Sequence, residues 1–220
     1  MNDIIIRTAQ PDDAAALAKI YQYYVERTAI TFEYDAPDAA EMNARREKIL
    51  AHYPYLVAEK DDGYAYGILR PCGYGWSIEH LCRQRCAQAR NYMMPWKMLY
   101  VIWVFSILMA YGWSVESSIY VDKDARKLGI GRKLYDAMEN ALRDMGILNI
   151  NACIAVPRTD DDPYLTSGSV AFHKRLGYQM VGTFHQSGYK FNRWYDVAWM
   201  EKMLGGHPEK PAIVKDFDRF

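Results

Sequence analysis

Hydrophobic and polar positions follow two spacings in the N-terminal part of the chain. The apolar run within 3–9 predicts a short buried strand. Apolar residues then recur at helical spacing over 14–26, and a charged amphipathic pattern covers 39–52. The segment 29–35 between these two predicted helices reads as extended chain.

The middle of the chain predicts a hairpin and then a strand–loop–helix unit. The runs 53–60 and 63–70 are joined by Asp61-Asp62-Gly63, which is a strong turn signal. From residue 113 to 121 the pattern alternates as in a strand, and an amphipathic helix is expected over 132–145.

The C-terminal part predicts three more strands and one short helix. Strands are expected at 149–156, 179–185 and 193–202, and a helix over 169–176 that stops at Gly177. The whole pattern is typical of one mixed α/β domain over 1–204, followed by a tail at 205–220 that we expect to be loosely held.

Composition narrows the function classes. Lys plus Arg equals Asp plus Glu, so a formal net charge of zero gives no indication of nucleic acid or an anionic membrane as partner. The four cysteines form neither a disulfide framework nor a metal-ligand pattern, and the first residues lack the features of a signal peptide. We therefore expect a cytoplasmic protein with reduced thiols and no metal.

The loop at 126–131, with the sequence RKLGIG, carries the clearest chemical signal. A strand ends, the backbone turns, and a helix begins, so free N–H groups and the positive end of a helix dipole converge on one point. This arrangement suits a pyrophosphate, with the glycines allowing close approach. The alternative is that the two glycines serve only the steric needs of a strand–helix turn.

The same loop matches the R-x-x-G-x-G/A acyl-CoA loop of the N-acetyltransferase (GNAT) superfamily. The stretches TFEYDAP, WSVESSIYVD, SVAFHKRLGY and GYKFNRWYDVAWMEK resemble the phosphinothricin and methionine sulfoximine acetyltransferase branch. This resemblance implies a GNAT fold, a mixed and mostly antiparallel central sheet flanked by helices. It also implies transfer of acetyl from acetyl-CoA, as cosubstrate, to a small-molecule primary amine such as phosphinothricin.

The resemblance also implies roles for individual residues. Glu116 would be the base that takes the proton from the amine, and His173 would protonate the leaving thiolate or bind substrate. The backbone N–H near Val121 would meet the acyl carbonyl. The implied cofactor-binding residues are Val121, Arg126, Lys127, Leu128, Gly129, Ile130, Gly131 and Ser169, and the implied substrate residues are Phe32, Glu33, Arg70, Lys190 and Trp194.

Each role has a plain structural alternative. Glu116 is otherwise a solvent-facing strand carboxylate, and a lone helical histidine such as His173 is more often structural. The chain departs from the branch at three positions, where Lys127 replaces a usual Gly, Thr166 a frequent Asn, and Cys72 a frequent basic residue. Alternative functions are a protein or peptide amine acetyltransferase and a CoA-binding protein that an insert has inactivated.

The insert spans about 75–111, between the third and fourth predicted core strands. The motif YGWS followed by Ile or Val and Glu occurs at Tyr74 and again at Tyr111. Codons can be chosen so that residues 80–91 are encoded by a frame-shifted copy of the gene segment for 119–130, and residues 93–109 by a copy of the segment for 135–151 in the other shifted frame. We hypothesise a tandem duplication, which nucleotide identity between the two gene segments would test. The apolar second half of the insert is too short for a membrane span, and it lies between two strands that must pair in one sheet. Such an apolar segment must be buried in another way, which makes the insert one candidate interface for a homodimer.

Overall fold

The computed structural model of the chain describes residues 4–59, 65–72 and 112–217. The predicted insert at 75–111 lies outside these residues. Within the described residues the fold is the predicted mixed α/β domain, built on one seven-stranded sheet with the strand order β1-β2-β3-β4-β5-β7-β6. The strands are β1 (Ile5–Thr8), β2 (Leu56–Glu59), β3 (Ala65–Cys72), β4 (Ser114–Val121), β5 (Asn149–Val156), β6 (Gln179–Lys190) and β7 (Arg193–Met203).

Five of the six neighbouring strand pairs are antiparallel, and only β4 and β5 run parallel. The expected mixed, mostly antiparallel sheet is therefore confirmed. The β3–β4 ladder runs from Gly67↔Val121 to Cys72↔Glu116. The two strands that flank the insert are thus direct neighbours in the sheet.

In the described part of the chain, four α-helices cover the two faces of the sheet: α1 (Ala14–Arg27), α2 (Ala39–Leu50), α3 (Ile130–Met145) and α4 (Gly168–Arg175). Helices α1 and α2 form one hydrophobic core with the sheet, in which Leu17, Val57 and Ile68 are buried. Helices α3 and α4 pack on the opposite face, where Leu134 and Ile150 lie in the larger core. The central strands β2, β4 and β5 are consequently largely buried, whereas most residues of β6 are exposed.

The parallel pair separates toward its C-terminal ends. Pairing runs from Ser114↔Asn149 to Ser117↔Ala152, whereas β4 continues to Val121 and β5 to Val156. The last residues of both strands therefore border a gap in the sheet, and the backbone groups that face it have no ladder partner across it.

Three expectations need correction. The segment 29–35 contains no regular strand, and the C-terminal hairpin is longer than predicted because β6 extends to Lys190. The tail is docked as far as residue 217. The indole N–H of Trp113 donates to the Ala212 carbonyl at 2.7 Å, the Lys215 N–H donates to the Met145 carbonyl at 2.9 Å, and Phe217 packs against the core.

Candidate active site

The predicted phosphate loop joins β4 to α3 as the sequence indicated. Gly129 is the N-cap of α3 and has a φ of 79°, a left-handed conformation that glycine adopts without strain. A Cβ added there would meet no described atom within 4 Å. The first turn of α3 therefore presents its free N–H groups to open space, which fits an anionic group.

The second glycine of the motif has a different purpose. A Cβ on Gly131 would lie 2.9 Å from Cζ of Phe172 in α4. Glycine at this position lets α3 pack against α4, so the steric interpretation of the motif applies to Gly131. The neighbouring Ile130 is buried in the core, whereas Leu128 is exposed.

Arg126 and Lys127 are exposed at the same loop. The Arg126 guanidinium lies over the rings of Tyr23 and Tyr24 in α1, at 5.6 and 5.2 Å from their centroids. Lys127, which replaces a glycine of the branch, has a φ of 65°. A non-glycine residue in this region is strained, and both side chains place positive charge beside the α3 N-terminus.

The backbone of Val121 is engaged by Tyr24. The Val121 N–H donates to the Tyr24 hydroxyl at 3.0 Å, and that hydroxyl donates to the Val121 carbonyl. The amide that the family resemblance assigns to the acyl carbonyl is therefore occupied by a protein side chain in this structure.

A small cleft, partly open to solvent, lies at the gap between β4 and β5. Ser117 and Ile119 line it from the α3 side of β4, and Ser118 and Tyr120 line it from the α1 side. The cleft therefore passes between the strands and reaches both faces of the sheet. Its remaining lining residues are Ile30, Tyr135, Ala152, Cys153, Ile154, Ala155, Ser169 and His173.

His173 lines this cleft and is buried, with 3% of its surface exposed. Its Nδ1 lies 2.8 Å from the Ser169 carbonyl oxygen and its Nε2 lies 2.9 Å from the Tyr135 hydroxyl. Burial lowers the pKa of His173 below its usual value, although the hydrogen bond to Ser169 partly opposes this. The ring is consequently neutral at pH 7.

Glu116 and His173 lie on opposite faces of the sheet. The Ser117 hydroxyl points to Tyr135 of α3, and side chains alternate along a strand, so Glu116 projects toward α1 and α2. Glu116 is 6% exposed rather than solvent-facing. Glu116 lies in the paired part of β4 and β5 and is not among the residues that line the cleft, whereas His173 is.

Two of the predicted substrate residues are held by other protein groups. The ammonium of Lys190, which is 2% exposed, donates to the carbonyls of Thr28 and Thr31 at 3.0 and 2.8 Å. Burial lowers its pKa to about 8, with Glu33 opposing the shift. Glu33 is itself buried and accepts hydrogen bonds from Tyr21 and Arg45.

The other predicted substrate residues lie on the segment after α1, on β3 and on β7. The Phe32 ring sits on Gly188, where a Cβ would come within 2.1 Å of it. Trp194 is 51% exposed and packs against Tyr189 at 4.9 Å between ring centroids. Arg70 lies in β3 opposite Ser118 of β4, so its backbone is next to the cleft.

Sequence reasoning missed Tyr135, Ser117 and Tyr24. Tyr135 belongs to the apolar stripe of α3 and reads as an ordinary core residue, and Tyr24 occupies a similar place in α1. Nothing in their spacing marks the hydroxyl groups as partners of His173 and Val121. Among the described residues, no cluster of three or more His, Cys, Asp or Glu side chains could hold a metal, and no helix is long and apolar enough to cross a membrane.

Comparisons with known proteins match the chain to acetyltransferases. The profile of the acetyltransferase (GNAT) domain family matches residues 101–199. The chain is 29% identical to phosphinothricin N-acetyltransferase of Streptomyces viridochromogenes, over 90% of this chain and 86% of that one. It is 28% identical to the L-amino acid N-acyltransferase MnaT of Escherichia coli, over 94% and 98%.

A solved structure gives the same result at the level of the fold. The GNAT superfamily phosphinothricin acetyltransferase of Sinorhizobium meliloti, crystallised in complex with AcCoA, superposes with a TM-score of 0.71 at 27% identity and covers 95% of this chain and 93% of its own. The chain belongs to the GNAT superfamily and, within it, to the phosphinothricin and methionine sulfoximine acetyltransferase branch. As an enzyme it is an acetyl-CoA-dependent N-acetyltransferase.

Proposed function

We propose that the protein transfers acetyl from acetyl-CoA to the primary amine of a small amino acid or an analogue such as phosphinothricin. The observation that carries this proposal is the cleft between β4 and β5, which has the open N-terminus of α3 beyond the end of β4. The Streptomyces and Escherichia relatives, one acting on phosphinothricin and one on L-amino acids, support the acceptor class.

The residues around the cleft fit a coenzyme A thioester. The α3 N-terminus, Arg126 and Lys127 would bind the pyrophosphate, because free N–H groups and two cations converge beside an unfilled space at Gly129. Ser169 would contribute at the α4 side of the cleft. The amide of Val121 would meet the acyl carbonyl after the Tyr24 hydroxyl has moved.

Glu116 is proposed as the base for the acceptor. A primary amine with a pKa of roughly 10 must lose a proton before it attacks a thioester, which costs about 4 kcal/mol at pH 7. Glu116 projects to the face of α1 and α2, and Ile30 in the segment after α1 lines the cleft. The acceptor would therefore enter from this face and the coenzyme from the α3 face.

Acceptor recognition is proposed to involve Arg70 and the segment after α1. A guanidinium binds a carboxylate in bidentate fashion, so Arg70 is the proposed clamp for an amino acid carboxylate. Lys190 and Glu33 would shape the pocket rather than bind substrate directly, because protein groups already occupy their polar atoms. Phe32 and Trp194 would supply its apolar walls.

We also propose that the enzyme is a homodimer in the cytoplasm. The described part of β6 exposes Val181 and Phe184 by 60% and 61%, apolar area that a second copy would cover. Light scattering after gel filtration tests this proposal. A monomeric mass for the wild type would contradict the proposal. Loss of the dimer in Phe184→Lys would assign the interface to this surface, and an unchanged dimer would assign it to the insert.

The experiment that tests the function is thiol release from acetyl-CoA with phosphinothricin, methionine sulfoximine and a panel of L-amino acids, comparing the full chain with a variant lacking 75–111. We expect turnover with at least one small acceptor and none with lysine-containing peptides. Turnover only with peptides would favour the protein acceptor. Coenzyme binding without turnover in the full chain, together with turnover in the shortened one, would show that the insert disables the enzyme.

A further inference from the structure

His173 has no free ring nitrogen with which to reach a ligand. The Ser169 carbonyl can only accept a hydrogen bond, so Nδ1 of His173 carries a proton and donates to it over 2.8 Å. Since the ring is neutral, Nε2 is an acceptor, and the Tyr135 hydroxyl 2.9 Å away is the donor. The histidine is thus fixed in one tautomer by two protein groups.

The Tyr135 hydroxyl has a second hydrogen-bond partner, so the direction of its hydrogen bond with His173 can reverse. Its hydroxyl oxygen lies 3.2 Å from Oγ of Ser117, and Ser117 donates onward to the Asn151 carbonyl at 3.2 Å. If Nε2 of His173 gains a proton, it donates to the Tyr135 oxygen, and the Tyr135 proton turns to Ser117. His173 can therefore hold a proton without any buried polar group losing its partner.

This network forms part of the wall of the cleft. Ser117, Tyr135 and His173 all line the cleft at the gap between β4 and β5. Both ring nitrogens of His173 are hydrogen-bonded inside the protein, to Ser169 and to Tyr135. A proton that reaches the ring while both of these hydrogen bonds are kept therefore passes through the Tyr135 oxygen.

We propose that the Tyr135 hydroxyl is the group through which His173 exchanges protons with the cleft during acetyl transfer, a proposal that rests on the proposed function. As the acceptor nitrogen bonds to the acyl carbon, its proton passes to the Tyr135 oxygen while the Tyr135 proton passes to Nε2. When the carbon–sulfur bond breaks, Tyr135 protonates the thiolate and Nε2 returns its proton to Tyr135. One proton moves from nitrogen to sulfur, and both residues are restored.

The surroundings keep Tyr135 and His173 in the protonation states that this exchange requires. Burial raises the pKa of the Tyr135 phenol, so it remains a hydroxyl, and burial lowers the pKa of His173, so it is neutral before the reaction. The Tyr178 ring packs edge-on against His173 at 5.1 Å. Glu139 on α3 is neutralised by Arg143 and Lys202 at 2.9 and 2.6 Å.

The test compares two tyrosine-to-phenylalanine variants next to the same ring. Tyr135→Phe keeps the ring and its packing, and we expect kcat to fall about 100-fold while KM for both substrates changes less than about threefold. Tyr178→Phe is the matched control, because the Tyr178 ring also packs against His173 whereas the two ring nitrogens of His173 bond to Ser169 and Tyr135, and this variant should retain kcat within about threefold of wild type. Equal kcat for Tyr135→Phe and wild type would overturn the proposal.

A double-mutant cycle separates a shared pathway from independent damage. If Tyr135 and His173 act in one relay, the variant Tyr135→Phe/His173→Phe should be no slower than His173→Phe, within about threefold. Multiplied losses would overturn the relay. A wild type inactive with every acceptor would instead reject the proposed function, so the two failures are distinguishable.

The free protein provides a readout that does not depend on turnover. In ¹⁵N spectra of the histidine side chains, His173 should show the Nδ1–H tautomer with Nε2 as an acceptor. The Nε2 signal should move in Tyr135→Phe and stay in place in Tyr178→Phe. An Nε2 signal that ignores Tyr135→Phe, or a proton on Nε2 in the wild type at pH 7, would overturn the assignment.

Discussion

Gly131 and Phe172 touch so closely that a Cβ on the glycine would lie 2.9 Å from the phenylalanine Cζ. This contact joins the first turn of α3, which carries the phosphate loop, to α4, which carries His173 next to Phe172. A glycine of the predicted coenzyme-binding motif thus also permits the close packing of two helices.

Gly131→Ala should therefore push α4 away from α3. We expect a loss of about 1–3 kcal/mol in the free energy of unfolding, since overpacking forces the ring or the helix to shift, together with a lower kcat. Urea unfolding and steady-state kinetics measure the two effects. Phe172→Leu should restore part of the stability in the double variant, and a Gly131→Ala chain as stable as wild type would contradict the role of this contact.

Arg126→Ala tests the phosphate loop. The Arg126 side chain is exposed and rests on two tyrosine rings, so its removal should change stability by less than about 1 kcal/mol. The loss of a charged hydrogen-bond donor should raise KM for acetyl-CoA about tenfold. Lys19→Ala, which removes an exposed charge on α1, is the control, and an equal rise in both variants would show a nonspecific charge effect.

Lys127→Gly should stabilise the protein. The φ of 65° is costly for lysine and free for glycine, so we expect a gain of about 0.5–1 kcal/mol and a melting temperature higher by about 2–4 °C. Lys127→Ala removes the same charge but keeps a Cβ, and it should give no gain. A similar melting temperature for the two variants would show that the backbone here carries no strain.

Cys153 provides a chemical probe of the cleft. It is exposed and lines the gap on β5, where the thioester is proposed to bind. Acetyl-CoA should slow its alkylation by iodoacetamide at least about tenfold, because bound ligand excludes reagent and water from the cleft. Peptide mass spectrometry separates Cys153 from Cys72, Cys82 and Cys86, and unchanged alkylation at saturating acetyl-CoA would place the ligand elsewhere.

Lys190 should impose a pH dependence on stability. Burial lowers its pKa to about 8, whereas an unfolded lysine titrates near about 10.4. Between these values the unfolded chain holds more protons than the folded one, so the contribution of Lys190 to stability rises as pH increases from about 8 to 10. Below about pH 8 both states are protonated and the contribution is constant.

The measurement is urea unfolding of wild type and Lys190→Met at pH 7, 8.5 and 10. The difference between the two chains should change by up to about 3 kcal/mol across this range, with the wild type gaining stability as pH rises. Lys190→Met should already be less stable at pH 7, because the Thr28 and Thr31 carbonyls lose their donor. A difference that is flat with pH would mean that Lys190 keeps an ordinary pKa.

The pattern of neighbouring residues was sufficient to predict most of the helices and strands and the loop between β4 and α3. The alternation at β4, the helical spacing of α1 and α3 and the glycines at 129 and 131 are properties of neighbouring residues, and the backbone follows them directly. The predictions that failed also relied on neighbouring residues alone. The segment 29–35 reads as extended chain yet finds no neighbouring strand, and the tail has little periodicity yet docks on Trp113, nearly 100 residues earlier.

The sequence by itself determined the order of strands and helices, the phosphate loop and the identity of Glu116 and His173 as candidates, since these depend on residue type and short spacing. The tertiary structure alone decided that these two residues face opposite sides of the sheet, that Gly131 fits Phe172, and that the Tyr135 hydroxyl meets Nε2 of His173. These relationships join residues 38 or more positions apart or depend on strand register, which no local pattern encodes.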